Sequence, residues 1–153
     1  PQYFSGIFMH VNSSYDAPTR EASKLLWCVS TGEYEYGYSS AERFYKRLLD
    51  FGCCVVFKPF ENTGHFVTDD VKELCVGFFE YLITFIPDYT NPKWKEPPVD
   101  KYYLMRHPAY IGDYQNQIVY PFELAERKIP NRKYMVSLPT KKIAKSWGEI
   151  IEK

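Results

Sequence analysis

This chain of 153 residues lacks any excess of charge: nineteen basic side chains balance nineteen acidic ones. Without a basic surplus or a basic run, it has no electrostatic footprint for a nucleic acid. It also lacks a long apolar run. The most apolar stretch, CVGFFEYLITFI at 75–86, is twelve residues long and contains Glu80. A bilayer needs about twenty apolar residues, so no membrane span is expected. No signal peptide is visible. The four cysteines, Cys28, Cys53, Cys54 and Cys75, form no C-x-x-C pair. The spacing of a zinc site is therefore absent, and the thiols read as small buried hydrophobes. Cysteines of this kind fix no cellular compartment. What the chain has is 45% hydrophobic and 25% charged residues, in a length that can bury a core.

The first 86 residues alternate apolar runs with helical periodicity. YFSGIFMHV (3–11), KLLWCVST (24–31) and CCVVFKPF (53–60) are short, nearly continuous apolar runs and read as strands. KLLWCVST, with little alternation, suits a strand covered on both faces, as in a parallel sheet. SSAERFYKRLLDFG (39–52) places Ala41, Phe44, Tyr45, Leu48 and Leu49 on one helical face. Ser39 and Glu42 have capping-box spacing, and Gly52 is a natural stop. From Asp69 to Phe85 a second helix carries Val71, Leu74, Cys75, Phe78, Leu82 and Phe85 on one stripe. A strand, a helical crossover and another strand make α/β architecture with parallel neighbours.

Ligands of open α/β sheets bind beyond the carboxyl ends of the strands. The loops there carry Asp16, then Glu33 and Glu35 in GEYEYGY, then His65 in ENTGHF. An acid and a histidine on neighbouring strands are what a triad needs. The acid fixes the imidazole tautomer and stabilises the imidazolium. His10 and His107 read as structural histidines. The Tyr34, Tyr36 and Tyr38 alternation fits either a cleft lining or a sheet-edge cover.

Residues 1–86 resemble the C-terminal half of an α/β-hydrolase. The resemblance rests on LLWCVSTGEYEYGYSSAERFYKRLLDFGCCVVF and FENTGHF. Many members follow a strand with a glycine, two residues and an acid, here Gly32-Glu33-Tyr34-Glu35. The family histidine follows the last strand, here His65, and the order acid then histidine fits the family order. The resemblance implies that Glu35 and His65 belong to a Ser-His-acid triad, with Asp16 and Glu33 as alternative acids. It implies a mostly parallel sheet with flanking helices and no cofactor. No G-x-S-x-G elbow is present, so the nucleophile is expected outside this chain. The partner implied is the N-terminal half of the hydrolase, in the same polypeptide or a second chain. The isolated 153 residues are then not expected to fold alone. Ester hydrolysis of a small molecule is the favoured activity. A serine peptidase, or a noncatalytic module that keeps the sheet without the chemistry, is the alternative.

Residues 87–153 hold eight of the eleven prolines. They read as an irregular C-terminal arm packing on the core. TNPKWKEPPVDKYY (90–103) suggests an extended linker or a surface loop. YIGDYQNQIVYPF (110–122) suggests one or two strands bent at Gly112-Asp113. LPTKKIAKSWGEIIEK (138–153) suggests a helix capped by Thr140, with Ile143, Trp147 and Ile150 on its apolar stripe. Trp94, Tyr102, Tyr103, Tyr110 and Tyr120 mark the arm as a packing segment.

Overall fold

The β-branched and aromatic runs of the first half form three strands: β1 (Gly6–His10), β2 (Leu26–Gly32) and β3 (Cys54–Phe60). The computed structural model describes residues 5–11, 16–86, 90, 93 and 100–153. The strands pair in parallel in the order β1-β2-β3. Every residue of β2 and β3 is buried, whereas β1 is half-buried throughout and forms the open edge. A short 3-10 turn, Arg20–Lys24, which the sequence did not signal, leads into β2.

Helix α1 (Tyr38–Asp50) connects β2 to β3, and α2 (Asp69–Ile83) follows β3. Register separates the two faces of the sheet. Trp27 packs edge-on against Phe44 of α1, and Phe57 stacks on Tyr45 of α1 at 4.7 Å. On the other face Phe8 meets Phe78 of α2. Because parallel partners share a face, the row His10, Ser30 and Lys58 lies on the α2 face, near the carboxyl ends of the strands.

The expected helical stripes form with small departures. In α1, Ala41, Phe44, Tyr45 and Leu48 are buried, but Leu49 is 47% exposed. The Ser39–Glu42 capping box does not form. Gly37 is the N-cap without a side-chain bond, and Glu42 instead accepts from Tyr114 Oη and pairs with Lys46. Gly52 ends the helix at φ +74°, and Cys53 N–H closes back on the Leu48 carbonyl. In α2, Cys75 is only partly buried, and Thr68 supplies the N-cap oxygen to Val71 N–H.

The second half is more regular than its prolines suggest. Helix α3 (Lys101–Arg106) is capped by Asp100, where an extended segment was expected. Most of the 90–99 linker, Trp94 included, lies outside the described residues. Strands β4 (Tyr110–Asp113) and β5 (Ile118–Pro121) form a hairpin. The bend falls at 114–117 rather than at Gly112-Asp113. Helix α4 (Phe122–Lys128), a 3-10 turn (Arg132–Tyr134) and β6 (Met135–Leu138) follow. Helix α5 (Lys141–Trp147), capped by Thr140, and β7 (Glu149–Ile150) close the chain. Four strands form a mixed sheet in the order β6-β4-β5-β7. Residues 100–153 are therefore not irregular: Pro108, Pro121, Pro130 and Pro139 stand at or beside the ends of elements, where a missing N–H costs little.

One hydrophobic cluster runs through both halves, from Leu26 and Phe57 to Leu138 and Trp147. Trp147 Nε1–H donates to the Phe57 carbonyl at 2.8 Å, and Tyr45 Oη donates to the Met135 carbonyl at 3.2 Å. α5 also packs on α2, where Lys142 pairs with Glu80. Among the described residues, no helix is long and apolar enough to cross a membrane.

Candidate active site

The loops after β2 and β3 leave the same edge of the sheet and are laced together. Glu33 N–H donates to the Phe60 carbonyl at 2.9 Å, and Tyr34 N–H donates to the Thr63 carbonyl at 3.0 Å. Asn62 N–H donates to Glu33 Oε2, and Tyr34 Oη bonds Asn62 Oδ1. Gly32 makes this approach possible. A Cβ there would lie 2.3 Å from the Thr63 carbonyl oxygen and 2.5 Å from that of Gly64.

This lacing brings Glu35 to His65. Glu35 Oε2 lies 3.0 Å from His65 Nδ1. The Glu35 side chain is 11% exposed and that of His65 is 75% exposed, so a shielded carboxylate holds an open ring. A carboxylate accepts, so Nδ1 carries the proton and Nε2 presents a lone pair. No hydrogen bond to His65 Nε2 occurs among the described residues. Glu33 is turned to Asn62 N–H, and no contact joins Asp16 to His65. Among the described residues, neither alternative acid bonds the ring.

A second histidine supports this loop from below. His10 Nε2 lies 3.0 Å from the Phe66 carbonyl, and its Nδ1 lies 2.9 Å from Ser30 Oγ. Since a carbonyl only accepts, Nε2–H donates to Phe66 and Nδ1 is the acceptor. Burial pushes the His10 imidazole below its ordinary pKa. The Phe66 carbonyl opposes this, while His65 and Glu35 add smaller opposite effects. Ser30 is fully buried and its one hydroxyl proton goes to His10 Nδ1, so its hydroxyl cannot meet an external carbonyl group. His10 is the satisfied histidine that its strand position suggested. His107, exposed at the end of α3, has Nδ1 on the Tyr103 carbonyl and its ring stacked on Tyr103.

Beside Glu33 lies a cleft of about 300 Å³, lined by Glu33, Tyr38, Glu42, Glu61, Tyr114 and Tyr134. Tyr114 Oη donates to Glu42 Oε1 at 3.0 Å, and burial followed by that bond raises the phenol well above its ordinary value. Of the alternating tyrosines, Tyr38 lines this cleft while Tyr34 and Tyr36 are exposed. Tyr114 and Tyr134 come from the hairpin bend and the 3-10 turn of the C-terminal part, which sequence periodicity did not reveal. Among the described residues, no group of three or more His, Cys, Asp or Glu side chains could hold a metal ion.

No protein-family model, no curated protein and no solved structure matches this chain.

Proposed function

We propose that this chain supplies the acid and the histidine of a Ser-His-acid triad that hydrolyses small carboxylic esters. The observation that carries the reading is the contact of Glu35 Oε2 with His65 Nδ1, which leaves Nε2 open beyond the carboxyl edge of a parallel sheet. In this reading a serine from outside the chain gives its proton to Nε2 and attacks the ester carbonyl. The imidazolium, stabilised by Glu35, returns that proton to the leaving alkoxide. Water then repeats the cycle and releases the acid. Tyr36, Phe66 and Val67, neighbours in sequence of Glu35 and His65, are exposed and would shelter an apolar acyl or alcohol group.

The reading also assigns a side to the missing half of the hydrolase. β1 leaves its edge unpaired within the described sheet, and α2 shows an exposed stripe of Val76, Phe79 and Ile83. An unpaired edge beside exposed apolar side chains is where further strands and helices would join.

The direct test is labelling of the complete protein, or of this chain with its complement, by a fluorophosphonate. A covalent adduct on a serine outside residues 1–153, lost in His65→Ala, is the expected result. No adduct, or one indifferent to His65→Ala, would overturn the reading.

A further inference from the structure

A second cavity, of about 310 Å³, opens where β3 and α2 meet α5, on the sheet face that carries Lys58. Lys58 is 6% exposed, an unusual place for a lysine. Its Nζ lies 4.4 Å from the centre of the Trp147 ring and 5.4 Å from that of Phe60. Its hydrogen-bond partner among the described residues is Gln117 Oε1. Glu61, Asp70 and Glu73 line the same cavity, yet none forms an ion pair with Nζ among the described residues.

The Gln117 contact is built rather than incidental. Gln117 sits at φ +58°, a left-handed conformation that costs a non-glycine residue free energy. Its Nε2 donates to the Tyr114 carbonyl at 2.7 Å, which turns Oε1 toward Lys58. An ammonium has three N–H donors, and one amide oxygen satisfies one of them. A neutral amine needs fewer acceptors and keeps a lone pair. Burial accordingly lowers the Lys58 ammonium from 10.5 to about 8, against the opposing pull of Glu61 and Asp70.

We propose that this cavity binds a small aldehyde or ketone carrying a positive charge and holds it as an imine on Lys58. The amine lone pair forms the bond to the carbonyl carbon. The carbonyl oxygen then leaves as water with both amine protons, and a C=N bond remains, with no oxidant or reductant required. The acids on the wall can pass the protons that dehydration of the carbinolamine needs. They also set the charge preference. With Lys58 neutral, Glu61, Asp70 and Glu73 outnumber Lys145 on the lining. This site shares no residue with the Glu35–His65 pair and stands independently of the hydrolase reading.

The test is reductive trapping in the full chain at pH 7.5, with limiting aldehyde and cyanoborohydride and peptide mapping of every lysine. The probes are 4-(trimethylammonio)benzaldehyde, benzaldehyde and 4-formylbenzoate. Lys58 is expected to be modified at least tenfold faster than the exposed lysines, and fastest by the cationic probe. Gln117→Leu should alter the rate at Lys58 alone. If a substitution disturbs folding, the pH dependence in the unmodified chain decides by itself, with a midpoint near 8 expected at Lys58. Labelling of Lys58 no faster than the exposed lysines would overturn the proposal. So would a preference for the anionic probe.

Discussion

Gly32 lies directly against the Thr63 carbonyl, so that a single methyl group would stand 2.3 Å from its oxygen. The obstacle is backbone, which cannot swing aside as a long side chain can. Gly32→Ala should therefore push the two loops apart. We expect a loss of about 1–3 kcal/mol of stability, the range of overpacked sites. Ester turnover should fall as well, because the same movement separates Glu35 from His65. A denaturant melt and an ester assay on one preparation would check both. Normal stability and turnover would mean that the loops are not held by this contact.

Glu35→Gln keeps the shape of the acid but removes its charge. In the complete protein it should lower turnover by roughly 10²–10⁴-fold, as loss of the orienting acid does in such triads. Asp16→Asn and Glu33→Gln should cost far less, since neither carboxylate touches the ring. A rate series over the three variants separates the acids. If Asp16→Asn proved the most damaging, the orienting role would move one strand back.

His10 links the sheet to the loop that carries His65, and it does so as a neutral ring. Its pKa is lowered in the folded state by burial, so between that value and 6.5 the unfolded chain binds the extra proton. Its contribution is thus complete above about pH 6.5 and declines as the pH falls below it. Half-exposure and the nearby His65 and Glu35 keep the decline shallow. Urea melts from pH 5 to pH 8 should show it in the wild type and not in His10→Gln.

Lys58 acts in a higher pH window, with the same sign. From 10.5 down to about 8, the unfolded chain holds a proton that the folded one releases. Stability therefore rises with pH through this window. Below pH 8 the buried ammonium costs about 3 kcal/mol. Several tyrosines have raised pKa values and oppose the trend near pH 10, so the quantity to measure is the difference from Lys58→Met. That difference should shrink as the pH is raised from 7 to 10.

The three strands and two helices of residues 1–86 were legible because their patterns are local. A continuous apolar run names a buried strand, and 3.6-residue spacing names a helix face. Loop order brought Asp16, Glu33, Glu35 and His65 to one edge, since parallel strands send their carboxyl-end loops there, and only the resemblance to the hydrolase pattern singled out Glu35. Of the C-terminal sheet, only the strands within 110–122 were legible. β6 and β7 span four and two residues, too few for a period to show. The prolines read as disruption because nothing local says that Pro108, Pro121, Pro130 and Pro139 fall at or beside the ends of elements. Gly112 misled in a similar way. It looks like a turn residue but lies within β4, where only a hydrogen leaves room for the Trp147 ring, a contact 35 positions away in the chain. The Lys58 cavity has the same origin: a strand lysine signals nothing until Gln117 and Trp147 close over it.

The most direct measurement is turnover of a short-chain aryl ester by the complete protein carrying His65→Ala, with its melting temperature taken alongside. The ring is exposed and packs little, so the melting temperature should change little. Turnover should fall by roughly a thousandfold or more, because the members of a triad act as a unit. Wild-type turnover in the variant would contradict the catalytic role and leave His65 a polar residue in a turn.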